Sequence, residues 1–388
     1  MKAFGMKTEI VSGINALAHV NKWPSKKVFL VTDETMVSIG VARQLEDYLK
    51  SAGTPYHLFR EVEANPKVET VKKGLKLMVE NRVDTLIALG GGSVIDAAKA
   101  MMYFCIKSKE MLVDKDAIHK PRFIAIPTTS GTGSEVTSFS VITDEETQTK
   151  VALTDPLMLP DIAILDATLT LSVPPAVTAD TGMDVITHAL EACLAKRASE
   201  FSQVYAEKSL QVAFDYLLKA YQDGSDREAR QKMHEASCMA GLAFTNAGLG
   251  INHSLAHAIG GRFKISHGRA NAILLPHIIA YNAGLTDKEL TPEGEAYGKL
   301  ATHLGIPDIG TKNKVKALVR IVERYRKELR IEDSFQHYGI NESEYKAAVA
   351  SMATLALKDV CTKDNPREVT QKELETLLLQ SYSGELKT

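Results

Sequence analysis

The feature that most limits the fold is a change of pattern at Pro174 and Pro175. Before that pair, short apolar runs alternate with stretches of helical period. The runs are residues 27–32 (KVFLVT), 56–59 (YHLF), 84–89 (DTLIAL) and 123–126 (FIAI). Between them lie residues 37–52, closed by Gly53, then 68–81 and 94–104, each with apolar spacing that suits a helix. Strands that are apolar throughout, separated by helices, imply a parallel sheet covered on both faces. After the proline pair the strand-like runs stop. Residues 177–194, 202–221, 229–244 and 315–327 all carry helical apolar spacing. Two successive prolines cannot sit inside a helix, so they mark a boundary. The expected architecture is an α/β domain with a parallel, Rossmann-like sheet over residues 1–175, followed by an all-α domain over residues 176–388.

Composition narrows the function. With 46 basic and 48 acidic residues the formal charge is −2, so no basic field exists to hold nucleic acid. No run approaches the roughly 18 apolar residues that a membrane-spanning helix needs, and MKAFGMKTEIVSG lacks the apolar centre of a signal peptide. Cys105, Cys193, Cys238 and Cys361 are far apart and form no CxxC. Reduced thiols in a cytoplasmic protein are the expectation.

Two constellations carry chemistry. The first is Gly90-Gly91-Gly92-Ser93, between a buried run and a helix. Glycines let the backbone approach a ligand, and the free amides at the following helix start favour an anion, for which a pyrophosphate is the natural choice. Three glycines in a row exceed what a plain strand-to-helix turn requires. The turn is neither GxGxxG nor a Walker loop. A second polar turn, residues 127–134 (PTTSGTGS), follows the next strand-like run and would add donors at the same sheet end. Asp33 closes the first run; it suits both a ribose contact and a helix N-cap. Tyr103 and Lys107 match YxxxK, but without the accompanying glycine fingerprint the match is accidental.

The second constellation is Asp184 with His188, and His253 with His257 and His267. The i,i+4 spacing in each pair puts both side chains on one helix face. Gly260 and Gly261 offer a place for the chain to fold back before His267. A carboxylate with several imidazoles suits Fe(II) or Zn(II), and four ligands would leave a position for a substrate oxygen. His19, His57, His119 and His234 lack such neighbours and read as surface or core residues.

The blocks GGGSVIDAAKA, IPTTSGTGSEVTS, TGMDVITHALEA, GLGINHSLAHAIGG, SHGRANAILLPH and DNPRE occur in the order seen in one family. The chain resembles the iron-containing (group III) alcohol dehydrogenases, which share a dehydroquinate synthase-like fold. MDVITHALEACLAKRASEFS and KMHEAS resemble the short-chain 1-propanol and ethanol dehydrogenases in particular. The resemblance implies that Asp184, His188, His253 and His267 hold the metal, usually Fe(II) and sometimes Zn(II). His257 is implied near the nicotinamide of NAD, assisting proton transfer. Gly91, Gly92 and Ser93 match the pyrophosphate turn, with Asp96 behind it. Thr128, Thr129, Thr132, Val141 and Lys150 match further cofactor contacts, and Asp33 the position that selects NAD over NADP.

Phe139, Phe244 and Cys361 fall where related enzymes line the substrate pocket. Phe139 departs from relatives that reduce diols or lactaldehyde and carry a polar residue there. The implied activity is interconversion of short aliphatic aldehydes and alcohols, such as propanal and 1-propanol. Alternatives are a 1,3-propanediol or lactaldehyde/1,2-propanediol oxidoreductase, a glycerol dehydrogenase-like or dehydroquinate synthase-like zinc enzyme, and a non-catalytic nucleotide-binding regulator. Family members are commonly dimers, often paired through N-terminal strands, for which residues 6–10 would serve. Some work inside bacterial microcompartments.

Overall fold

Each of the four apolar runs forms a strand in the computed structural model, which describes residues 2–110, 120–145 and 149–387. His119 lies outside these residues. The chain forms two compact units: Met6–Val173 with Ser225–Gly241, and Met1–Gly5 with Pro174–Gly224 and Leu242–Thr388. The expected division at residues 175/176 differs in two places. Residues 1–5 belong with the helical part, and residues 225–241 with the α/β part. The second difference has a visible cause in side-chain packing. Gln231 accepts a hydrogen bond from the Ala167 amide, Arg230 donates to the Val173 carbonyl, and a Cβ on Gly133 would lie 2.7 Å from Gly241 Cα.

The α/β unit contains β1 (Glu9–Ser12), β2 (Val28–Val31), α1 (Glu34–Ser38), α2 (Val41–Ser51), β3 (Tyr56–Phe59), α3 (Val68–Glu80), β4 (Thr85–Gly90), α4 (Gly92–Glu110), β5 (Arg122–Pro127), β6 (Phe139–Asp144), β7 (Thr149–Thr154) and β8 (Ile162–Leu165). The stretch expected as one helix over residues 37–52 is broken, because Gly40 takes a left-handed φ of 79°. Six strands form a parallel sheet in the order β1-β8-β5-β4-β2-β3; β6 and β7 form a separate antiparallel ribbon.

The pleat explains why the central strands are apolar throughout. Phe29, Val31, Leu86, Ala88, Phe123 and Ala125 pack on one face with α3 and α4. Val28, Leu30, Ile87, Leu89, Ile124 and Ile126 pack on the other with α2 and the 3-10 segment Ala16–Lys22. Neighbouring β2 and β4 therefore send their following helices, α2 and α4, to opposite faces. That divergence is the topological switch point at which doubly wound sheets bind ligands, beyond the carboxyl ends of the strands. Asp33 follows β2 there, and Gly91-Gly92 follow β4.

The helical unit contains α5 (Pro175–Leu194), α6 (Glu200–Gln222), the end of α7 (Arg227–Ala247), α8 (Ile251–Phe263), α9 (His267–Ala283), α10 (Pro292–His303), α11 (Thr311–Glu328), α12 (Glu342–Lys358) and α13 (Gln371–Ser383). Pro175 occupies the first position of α5, where its missing N–H costs nothing. α9 is buried along most of its length, as a helix apolar on all sides must be. It packs against α5, α8, α10, α11 and α13. Among the described residues, no helix is long and apolar enough to cross a membrane.

Candidate active site

Three helices of one unit build the metal-ligand cluster. α5 supplies Asp184 and His188, α8 supplies His253, and α9 supplies His267. The chain reversal before His267 is not made by Gly260 and Gly261, which continue α8. Lys264 makes it, in a left-handed conformation at φ 55°. Ser266 then takes the position before α9 without a side-chain cap, and His267 is the first residue of that helix. Gly268 lets α9 start close to α5: a Cβ there would lie 2.0 Å from the Asp180 carbonyl oxygen. The same end is tied down by Arg269, whose Nε donates to Asp180 Oδ1 at 3.0 Å, and by Ser266, whose hydroxyl donates to Asp180 Oδ2.

One ligand atom from each of Asp184, His188, His253 and His267 lies within 4.8 Å of the others. Asp184, His188 and His253 are buried, while the His267 side chain is 37% exposed. His253 Nε2 and His267 Nε2 stand 3.8 and 3.6 Å from Asp184 Oδ1, and His188 Nδ1 stands 3.9 Å from Oδ2. His188 Nδ1 and His253 Nε2 are buried and have no hydrogen-bond partner. Each such atom costs about 1–3 kcal/mol if left unsatisfied. Ring nitrogens gathered around a shared carboxylate, with no hydrogen-bond partner of their own, fit a divalent cation. Burial holds the His253 imidazole well below its ordinary pKa, with His188 adding to the effect, so the ring is neutral as a ligand must be.

Residues that the sequence reading passed over complete the cluster. Glu191, also on α5, accepts from the Asn252 amide at 2.8 Å and meets His253 Nδ1 at 2.5 Å. Burial pushes its carboxyl up to about 7, against the pull of amide donors from Asn252 and Gly250. Asn271 donates to Asp184 Oδ1 at 2.7 Å, and its amide nitrogen lies 3.1 Å from His267 Nε2.

His257, one turn beyond His253, stands apart from the quartet. Its Nδ1 meets Asp359 Oδ2 at 2.9 Å, and its ring stacks on His267 with centroids 5.2 Å apart. Burial alone would raise the Asp359 carboxyl. Hydrogen bonds from His257 and the Cys361 amide outweigh that and bring it down to about 2. Asp359 therefore stays ionised and fixes the imidazole. Cys361 is buried beside this pair, its amide donating to Asp359 Oδ1 at 2.8 Å. Phe244 stacks on His188, centroids 4.6 Å apart, and gives the cluster an apolar neighbour.

In the other unit, Gly90 pairs with Pro127, which sets the two polar turns side by side at the switch point. A Cβ on Gly90 would meet Val94 Cγ2 at 2.5 Å, and one on Gly92 would meet Thr132 Cγ2 at 2.7 Å. Gly91 is less confined, with Thr129 Oγ1 at 3.4 Å. The outer glycines thus allow close packing, and the middle one leaves a bare backbone at the start of α4. Thr128 Oγ1 is buried there without a partner. These features fit a bound anion with hydrogen-bonding oxygens.

The remaining positions of this set are partly engaged by the protein itself. Ser93 Oγ donates to the Ala64 carbonyl. Asp33 Oδ1 caps α1 by accepting from the Met36 amide at 2.9 Å. Asp96 is half-buried, and both its oxygens are taken, by Ser134 Oγ at 2.7 Å and the Val141 amide at 3.0 Å. It supports the turn and the β6–β7 ribbon from behind. Phe139 and Val141 lie on β6; Lys150, on β7, pairs with Thr143 and is exposed. Buried Lys99 donates to Ser134, Thr137 and the Phe139 carbonyl, which anchors the base of the ribbon. His234 is a core residue, but its Nδ1 lies 2.9 Å from Ser130 Oγ, within the second turn.

Comparison with known proteins shows the family. Residues 7–167 match the family description "Iron-containing alcohol dehydrogenase", and residues 178–382 match "Fe-containing alcohol dehydrogenase family, C-terminal". An NADPH-dependent butanol dehydrogenase of Clostridium saccharobutylicum is 39% identical over 392 residues, covering 99% of both chains. A 1-propanol dehydrogenase of Citrobacter freundii is 38% identical, covering 97% of this chain and 99% of its own. The crystal structure of a 1,3-propanediol oxidoreductase superposes with a TM-score of 0.89 at 31% identity, covering 98% of this chain and 100% of that one. Matches that run through both halves, and relatives this similar over their full length, lead to one conclusion: the chain belongs to the iron-containing alcohol dehydrogenase family.

Proposed function

We propose that this protein is an NAD-dependent, metal-dependent primary alcohol dehydrogenase that interconverts short aliphatic aldehydes and alcohols such as propanal and 1-propanol. The observation that carries the reading is the quartet Asp184, His188, His253 and His267, the first three buried, two of whose nitrogens lack any partner. Those four residues would hold Fe(II), or Zn(II) in its place. Such an ion supplies Lewis acidity toward a substrate oxygen. The nicotinamide supplies the hydride chemistry, and the protein supplies its binding and alignment.

The chain's own residues do the rest. Backbone amides at Gly91, Gly92 and Ser93 receive the pyrophosphate at the start of α4. Thr128, Thr129 and Thr132 add hydroxyls, and Val141 and Lys150 extend the contact. Asp359 holds His257 through Nδ1, which leaves Nε2 to exchange a proton with the substrate side. Phe244, against His188, and Cys361, beside Asp359, give an alkyl chain apolar surroundings.

A diol or lactaldehyde oxidoreductase is the second reading, supported by the likeness to the 1,3-propanediol enzyme. The Phe139 ring favours an alkyl chain over a second hydroxyl, and a substrate panel separates the two readings.

The deciding experiment is anaerobic NADH oxidation with propanal, on metal-stripped protein given Fe(II) or Zn(II). Turnover restored by Fe(II) alone supports reaction, cofactor and iron together; turnover with zinc as well leaves the reaction and widens the metal. Tight NADH binding without turnover on any aldehyde would instead favour a regulator.

Asp33 is the reason for choosing NAD, although the Clostridium saccharobutylicum relative is named for NADPH. A carboxylate beyond β2 accepts ribose hydroxyls and repels a 2′-phosphate. Asp33→Gly is expected to raise kcat/KM for NADPH by about tenfold or more, equivalent to about 1.4 kcal/mol. Glycine keeps most of the N-cap preference, so the fold should persist. Unchanged NADPH kinetics would reduce Asp33 to a helix cap.

We further propose a cytoplasmic homo-oligomer, with microcompartment residence open to a member resembling 1-propanol dehydrogenases. None of the four cysteines forms a disulfide, as expected in a reducing compartment. Among the described residues β1 is an edge strand, hydrogen-bonded on one side only, and Met6 just before it is 53% exposed. A light-scattering mass equal to one chain would remove the oligomer.

A further inference from the structure

Glu191 is a buried carboxylate with no lysine or arginine in ion-pair contact among the described residues. A charge-bearing group in that position is costly unless its hydrogen bonds serve something. Both oxygens are in use. Oε1 accepts from the Asn252 amide, and Oε2 faces His253 Nδ1. In its ionised form Glu191 can only accept here, so the proton stays on Nδ1 and the Nε2 lone pair is left bare. Nε2 is the buried atom that lacks a partner and stands 3.8 Å from Asp184 Oδ1.

The connection extends beyond His253. Asn252 Nδ2 donates to Asn271 Oδ1 at 2.9 Å, and Asn271 Nδ2 donates to Asp184 Oδ1 while lying against His267 Nε2. One side chain on α5 thus anchors α8 directly. Through Asn252 it reaches Asn271, which touches both Asp184 and His267. Three of the four donors are tied to it.

We propose that Glu191 is a positioning residue that sets the affinity of this centre for its divalent cation, by fixing His253 as the Nδ1–H tautomer and bracing the asparagine link to Asp184 and His267. The inference rests on the quartet being a metal site. It goes beyond that reading in giving binding strength to a residue that does not itself bind. Carboxylates behind a ligating histidine typically contribute about 10- to 100-fold in metal affinity.

The test is titration of metal-free protein with Co(II) and Zn(II), against a chelator of known affinity, in wild type, Glu191→Gln and His253→Ala. Glutamine offers one acceptor and one donor to two N–H groups, so it must lose one of them. The expected result is stoichiometric binding in wild type, severe loss in His253→Ala, and a Kd about 10- to 100-fold weaker in Glu191→Gln. The cobalt absorption should change, and the melting temperature of the metal-free protein should stay near the wild-type value. A purely packing role would lower that melting temperature and leave Kd unmoved, which would overturn the inference. No stoichiometric binding in wild type would overturn the metal assignment itself, a separate failure.

Should Glu191→Gln fail to fold, nitrogen NMR of histidine-labelled, metal-free wild type decides the matter, with His253 assigned by its absence in His253→Ala. A proton on Nδ1 supports the inference, and a proton on Nε2 overturns it.

Discussion

His267→Ala should remove the metal and lower aldehyde reduction by about a thousandfold or more, while the protein still folds. The size of the effect follows from electrophilic assistance worth several kcal/mol, with each 1.36 kcal/mol equal to a factor of about ten in rate. Survival of the fold follows from the residue's place. His267 is the first residue of α9, and its side chain is 37% exposed, so truncation opens little buried volume. The helix start remains held by Arg269 on Asp180 and Glu332. Metal content per chain, the melting curve and turnover with propanal check the three parts together. Full activity in a variant verified to hold no metal would sink the assignment.

His257→Ala should act differently. Metal content should stay at the wild-type level, and kcat should fall about 10²- to 10⁴-fold, the usual scale for loss of a general acid–base group. The difference arises because His257 Nδ1 is committed to Asp359, outside the quartet. The Asp359 carboxyl, at about 2, keeps its charge throughout the working range. A depressed carboxylate contributes stability that is complete above its unfolded value and lost as pH falls toward the folded one. The His257–Asp359 pair should therefore weaken only in strong acid. Parallel loss of metal and activity in His257→Ala would mean that this residue belongs to the ligand set.

What the sequence disclosed depends on how local each signal was. β2, β4 and β5 were legible because both their faces are buried, which leaves an uninterrupted apolar run. β8 is equally buried, but its four residues lie close to short 3-10 turns. β1 and the β6–β7 ribbon are partly exposed, so they carry no such run. Asp184, His188 and His253 announced themselves through helical spacing. Glu191 was within reach of the same argument, one helical turn beyond His188. Asp359 was not, since it meets His257 across 102 residues of chain. Asn271 likewise gained meaning only once α9 lay against α5.

The interleaved make-up of the two units has a consequence for biosynthesis. Residues 225–241 belong to the unit whose last strand is β8, yet α5 and α6 are made in between. A nascent chain that has just emerged through β8 lacks His234 for Ser130 and Gly241 for Gly133. The end of the sheet that carries the two polar turns is thus completed late, after the ribosome has already delivered two helices of the other unit. Neither unit is a continuous stretch of chain, so neither has all its residues until the ribosome has made α7 as far as Gly241.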